Sequence, residues 1–534
     1  MTSPDLGEPP RSSRLAETVS RLWAWMLESS PEYATYIGEP AEGWTDYSPE
    51  ACQERRHRRR AFLADLQAID TNGLDHQDSI THQVAEAYLT AEVGIDAFPH
   101  EAFLVDQMNG VHLQVAQTLE YMGDDRDAIA ERVQQVPELL DQVVANLRAQ
   151  TVRPPKVVLA DVPRQLGALP FADQIPDTLD RFERFVVDEL IPRARDEPGI
   201  SNVPDGDAWY AAAIEHQTSL SPTPQEVHDL GLAEVDRIWR AMEALAEEAG
   251  AGSVEAYRQR LKDDPASTFA SAEEQLHAYR ALCKEVDATL WRVVTKLPRM
   301  PYGVDAMPDY MAESAPTAYY IPGAGGSRRP GSFIVNGHDL PSRPAWRMVP
   351  LALHEAVPGH HLQHAIADEL DDLPPIRRHL GWNAYVEGWG LYAEHLGEEL
   401  GFYRTPADRY GRLSFEMWRA ARLVVDTGLH ALGWSRDRAI AYVEDTTGLG
   451  HHDVVSEVDR YISWPGQALG YKLGERVILD LRAEAEAALG ASFRADRFHD
   501  VLLQSGPVPL PVLEAEVRRW LGEIDAGASA SSSR

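Results

Sequence analysis

The chain has 534 residues, 44% hydrophobic and 25% charged, a balance that permits a large packed core. Its formal net charge of −34 argues against nucleic acid and against anionic membranes, since both are bound through surplus Lys and Arg. No run of 18 apolar residues occurs, so no transmembrane helix is indicated. The first residues lack a basic start, an apolar stretch and a small-residue cleavage site. The two cysteines, Cys52 and Cys283, form no Cys-x-x-Cys. Both features lead to the expectation of a reducing, cytoplasmic location.

Residues 1–13 read as a flexible start, followed by one helical domain over 14–525 and a disordered tail over 526–534. Leu15, Val19, Leu22, Trp23 and Met26 make one apolar helical stripe. Similar periodicity recurs near 50–70, 125–150, 176–196, 225–249, 271–297, 406–433 and 475–488. The fold class expected is therefore mainly α. Between 298 and 350 the pattern changes: two β-prone runs, 317–321 and 332–335, flank a glycine-rich loop and predict a β-hairpin. Tyr319 and Tyr320 would then either line a substrate by strand-edge pairing or serve ordinary hairpin packing.

The segment His354-Glu355-Ala356-Val357-Pro358-Gly359-His360 carries the chemistry. A hydrolytic zinc site needs imidazole or carboxylate ligands, an open position and a general base, usually supplied by His-Glu-x-x-His on one helix. Here the position four after His354 is Pro358, and the next histidines are His360 and His361. On a regular helix a residue six on is rotated by about 120° and displaced by about 9 Å, too far to share an ion. Pro358-Gly359 offers the remedy, because proline breaks the hydrogen-bond ladder and glycine permits unusual dihedrals. A local bulge there would return His360 to the ligand face, with His361 as the alternative ligand. A third ligand is expected from 383–394, where Glu387 lies 33 residues after His354 and Glu394 two turns further on. Gly388 and Gly390 in the same helix predict unusually close packing. Spacing alone leaves other readings open: a buried polar helix end at 354–361, and an ordinary surface role for Glu387.

The stretch 413–432 is apolar nearly all round, so it is expected to be buried. Arg419, Arg422, Asp426 and His430 run through it. Two readings stand: a cleft wall, with His430 near the reacting carbonyl and an arginine on a substrate carboxylate, or an internal Arg422–Asp426 ion pair.

His-Glu-Ala-Val-Pro-Gly-His-His-Leu-Gln at 354–363 and Tyr-Val-Glu-Gly-Trp-Gly-Leu-Tyr-Ala-Glu at 385–394 resemble the bacterial domain-of-unknown-function 885 family, as do the stretches 106–112, 422–430 and 459–474. The family resembles gluzincin-type metallopeptidases, similar in layout to thimet-oligopeptidase-like and carboxypeptidase-Taq-like enzymes. That resemblance implies two helical lobes, here roughly 14–300 and 301–525, around a central cleft with a β-hairpin edge near the metal. It implies His354, His360 and Glu387 as ligands, Glu355 as general base and Glu394 in support. Tyr471 follows Pro465-Gly466-Gln467 in a segment similar to the strip opposite the metal in oligopeptidases, either as oxyanion donor or as a core tyrosine, with Arg460 bracing that segment. The expected activity is metal-dependent hydrolysis of short peptides. Zinc is the expected metal, with manganese, cobalt or iron open. The alternatives are an amidase or lyase acting on a non-peptide metabolite, and a non-catalytic helical binding protein. Oligomeric state is not legible.

Overall fold

A computed structural model describes residues 11–532 apart from 124, 309–311, 313–316 and 327, with side chains described over 13–524. Of the expected flexible start, residues 1–10 lie outside the described residues, and the first helix opens at Arg11. The last helix, Leu510–Ser532, runs on into the segment read as a tail, whose residues 533–534 lie outside the described part.

The chain is mainly α-helical. In chain order, the elements that build the site are α1 (Pro224–Glu248), β1 (Tyr302–Ala306), β2 (Ala318–Ile321) and β3 (Gly331–Val335). They are followed by α2 (Met348–Glu355), α3 (His360–Asp368) and α4 (Asn383–Leu400). Finally come α5 (Pro406–His430), α6 (His451–Ser463) and α7 (Gly470–Leu489). The two longest of these helices, α1 and α5, start alike. Thr223 and Thr405 each accept a hydrogen bond from the backbone three residues on, Glu226 or Asp408 reciprocates, and a proline follows the cap.

The predicted hairpin is present as β2 antiparallel to β3, with Ala318 opposite Val335 and Ile321 opposite Ser332. It belongs to a three-stranded sheet in the order β1-β3-β2, because β1 adds in parallel on the far side of β3. This puts β2 at the outer edge. The largest apolar core takes side chains from Leu15 to Leu521 and contains much of α2 and α4. A second joins residues between Val105 and Leu190 to Val424, Val425, Leu429 and the 454–468 stretch.

Glycines set the closest helix contacts. A Cβ on Gly388 would lie 2.5 Å from Gly474 Cα, so α4 and α7 touch backbone to backbone. On α1, a Cβ on Gly231 would sit 2.8 Å from side-chain atoms of Leu423 and Val424 in α5. The expected tight packing of the glycine-bearing helix is thus observed, and it fixes where Glu387 points.

Candidate metal centre

The chain does not bulge within one helix at Pro358-Gly359. Instead α2 ends at Glu355, the Val357-Pro358 peptide bond is cis, and α3 begins at His360. Gly359 is required at the junction: a Cβ there would lie 1.9 Å from the carbonyl oxygen of His354 and 2.4 Å from that of Leu353. The indole N–H of Trp389 donates to the Pro358 carbonyl at 2.9 Å, tying the break to α4. The result is the outcome predicted for a bulge: the His354 and His360 rings meet at 4.6 Å between centroids.

Glu387 completes the group. Its Oε2 lies 3.4 Å from His354 Nε2 and 3.5 Å from His360 Nε2, and all three ligating atoms fall within 4.8 Å of one another. Ligands about 2.0–2.1 Å from a tetrahedral ion stand roughly 3.3–3.4 Å apart, so the carboxylate-to-imidazole spacings fit a divalent cation. Glu387 Oε2 is buried with no hydrogen-bond partner, a lone pair that a cation would satisfy. Gly390 makes the approach possible, since a Cβ there would meet His354 Cε1 at 2.7 Å and His360 Cε1 at 3.0 Å.

Glu394, one of the expected supporting residues, accepts from His354 Nδ1 at 2.9 Å, which orients the ring with Nε2 toward Glu387. Arg419 reaches the same carboxylate at 3.3 Å. Burial disfavours a charged His354, but the Glu387 and Glu394 carboxylates outweigh it and bring the imidazole up to about 9. Glu387 is opposed by burial yet held well below the usual carboxylate range by the two histidines. Glu355 is buried beside them, and desolvation pushes its carboxyl up against the pull of His354 and His360.

His354, Glu355, His360 and Glu387 line a cavity of about 270 Å³ together with Tyr319, Tyr320, Arg419, Arg422, Arg460 and Tyr471. The Tyr471 ring stacks on His354 at 6.2 Å, with the Arg422 guanidinium over its face at 4.4 Å. Arg460 donates to the side chain of Gln467 at 2.6 Å and so braces the turn before Tyr471, as the sequence suggested.

Several expectations need correction. His361 is not a ligand. Its Nε2 bonds the Met300 carbonyl at 3.2 Å and its Nδ1 the Tyr320 hydroxyl at 2.9 Å, so both nitrogens are occupied on the sheet side of α3. His430 does not reach the cavity. Its Nδ1 accepts from the Ile200 N–H at 3.2 Å, its Nε2 bonds the Tyr461 carbonyl at 2.9 Å, and burial pushes it down to about 4. The Arg422–Asp426 ion pair is also not formed. Arg422 bonds Glu457 at 3.0 Å, whereas Asp426 accepts from the Tyr210 hydroxyl at 2.5 Å and the Gly466 N–H at 3.1 Å.

Asp426 is fully buried, and desolvation pushes its carboxyl up to about 7 against the Tyr210 and Gly466 hydrogen bonds. The folded chain therefore holds a proton that the unfolded chain releases. Stability from this group is greatest in acid and is lost as pH rises toward 7. The Asp426→Asn variant is expected to gain more stability at pH 8 than at pH 5, by a difference on the order of 2 kcal/mol. Denaturant unfolding at the two pH values measures it; equal gains would contradict the assignment.

Sequence reasoning missed Glu457, which holds Arg422 and Arg460 at once at 3.0 and 3.1 Å. The available signal was its place three residues before Arg460 on α6. It also missed Lys472, which is fully buried among Glu234, Glu416 and Glu475 directly beyond Tyr471.

Fold and site together define a mainly helical protein with a buried two-histidine, one-carboxylate cluster in a cavity. The chain belongs to the family described as "Bacterial protein of unknown function (DUF885)", which matches residues 31–174 and 170–517. Among solved structures it is similar to a candidate lipoprotein from Colwellia psychrerythraea, with 28% identity and a TM-score of 0.88 over 96% of this chain and 99% of that one. It also shares its fold with a candidate lipoprotein of unknown function from Shewanella oneidensis, at 17% identity and a TM-score of 0.73 over 94% and 99% of the two chains. No curated protein matches. The Colwellia relative overturns the cytoplasmic expectation, because it is described as a lipoprotein, a class anchored at a membrane outside the cytoplasm. Among the described residues no helix is long and apolar enough to cross a membrane.

Proposed function

We propose that this protein is a metal-dependent hydrolase of peptide bonds in short peptides. The observation that carries the reading is the convergence of His354, His360 and Glu387 in one buried cavity beside Glu355. Imidazole and carboxylate donors in this number suit zinc with an open coordination position. When bound, the metal supplies a Lewis acid and lowers the pKa of a water.

The remaining chemistry falls to the chain. Glu355, buried and with its carboxyl pushed up, takes a proton from the attacking water and returns it to the leaving nitrogen. Tyr471, stacked on His354, donates its phenolic hydrogen to the oxyanion. Arg422 sits between the faces of Trp418 and Tyr471, with its Nη1 lacking a hydrogen-bond partner, and takes a substrate carboxylate. The outer strand β2 brings Tyr319 and Tyr320 to the cavity, where an extended peptide can align. Enclosure favours short chains over folded proteins.

The test begins with elemental analysis of the purified chain after zinc reloading. About one equivalent is expected in the native chain and a small fraction in Glu387→Ala. The loaded chain is then assayed on a panel of di- to hexapeptides and on non-peptide amides. Less than about a tenth of an equivalent of metal would leave only a binding role. Turnover of amides without turnover of peptides would move the substrate to another class.

A further inference from the structure

One of the sequence stretches singled out above, 106–112, has no part in the metal cluster, yet it forms a rigid loop against the cavity. The Asp106 carboxylate accepts from the backbone N–H groups of Met108 at 2.7 Å and Asn109 at 2.6 Å. Gly110 must lack a side chain, because a Cβ would meet the Asp106 carbonyl oxygen at 2.5 Å. Gln107 is held from both sides, its N–H donating to the Val158 carbonyl at 3.0 Å and its side chain accepting from the Ser463 hydroxyl at 3.2 Å. The loop therefore presents Met108 in a fixed place.

Met108 lines two cavities at once: the metal cavity, and a neighbouring one of about 290 Å³. Helix α6 runs along both. Its Ser456, Glu457 and Arg460 line the first, and Ser463 with the following Trp464 and Pro465 lines the second, at the spacing of one helix face. The walls change character on the way. The first cavity is set with charge, whereas the second is walled by Phe103, Leu104, Val111, Trp209 and Trp464. Polar side chains also line it, and two of them are paired: His216 with Glu92 at 3.0 Å and His100 with Asp96 at 3.4 Å. Trp464 remains 40% exposed, a large indole surface facing this space.

We infer that the second cavity continues the substrate cleft and receives an aromatic side chain of the peptide beyond the bond held at the metal, and that Met108 at the divide determines specificity. The inference rests on the peptidase reading above. Aromatic rings pack well against tryptophan faces and against thioether sulfur, which suits these walls to such a side chain better than to a charged one.

The experiment uses the zinc-loaded full chain and pairs of tetrapeptides that differ only in Phe or Ala at one position, scanned along the peptide, with a dipeptide as short reference. At one position the native protein is expected to favour Phe by about tenfold in kcat/KM. Trp464→Ala, at a half-exposed position, is expected to reduce that preference to about twofold, mainly through KM. Met108→Trp, which narrows the divide, is expected to lower tetrapeptide turnover about tenfold more than dipeptide turnover. Peptide cleavage with no aromatic preference, or with a preference that both variants leave intact, overturns the inference and leaves the peptidase reading standing. Absence of cleavage of every peptide at full metal loading overturns both.

Discussion

Glu355→Gln is expected to lower kcat for peptide hydrolysis by about 10³- to 10⁴-fold while metal content stays unchanged. Glu355 is 9% exposed and belongs to the cavity wall rather than to the cluster of His354, His360 and Glu387 proposed to hold the metal. Glutamine keeps the shape and removes only the capacity to accept a proton. It also removes a buried carboxyl that desolvation and the neighbouring Glu387 both push up, so the melting temperature should hold or rise. Elemental analysis, a thermal melt and single-turnover kinetics on one peptide measure the three quantities. Turnover within tenfold of the native protein would remove Glu355 from the mechanism. A matching loss of metal would make it a ligand instead.

The second large effect is expected at a residue with no functional group. Gly390→Ala places a methyl 2.7 Å from His354 Cε1 and 2.8 Å from its Nε2, closer than side-chain carbons approach other atoms. The imidazoles must move, and ligands displaced by even a few tenths of an ångström bind less well. Zinc affinity is expected to fall on the order of 10- to 100-fold, the range seen when the support of a ligand is disturbed. Alanine is at the same time the better helix former by about 1 kcal/mol, so the helix itself is not weakened. Lost affinity with a retained melting transition separates this variant from one that merely unfolds. Competition against a chromogenic chelator gives the affinity. An unchanged value would mean that the two rings have more room than their 4.6 Å centroid separation implies.

How much of this was legible in the sequence depended on whether the information was local. An irregularity at Pro358-Gly359 could be anticipated because both residues act on their own backbone, but the structure ends one helix and starts another there where a bulge was expected. The close approach of α4 could be anticipated from Gly388 and Gly390, since glycines in a helix interior cost stability unless something packs on them. The hairpin was visible in its β-branched and aromatic runs, but β1 was not. Its five residues, Tyr-Gly-Val-Asp-Ala, are too few and include a glycine, so their alternation gives little signal, and its parallel partner β3 is separated from it in sequence by β2.

Helix α5 shows the opposite case. Its apolar surround announced burial, and burial is found. Which charged side chain faces the cavity was not announced. Arg419 and Arg422 line it, whereas His430, eleven residues past Arg419, stands about 16 Å further along the axis, beyond its end. There it meets Ile200 and Tyr461, partners contributed by distant segments. The same holds for His361, whose two hydrogen-bond partners, Met300 and Tyr320, precede it by tens of residues.

The sequence by itself determined the helical class, an irregularity at Pro358-Gly359 and the close glycine contacts, because backbone propensity and periodic spacing act over a few residues, whereas His354, His360 and Glu387 were grouped through the family resemblance. Only the tertiary structure decided which imidazole turns inward, which acid pairs with Arg422, and that Met108 stands between two cavities. Those outcomes depend on which surfaces meet across tens to hundreds of residues, and burial then makes most polar atoms take whatever partner that packing delivers.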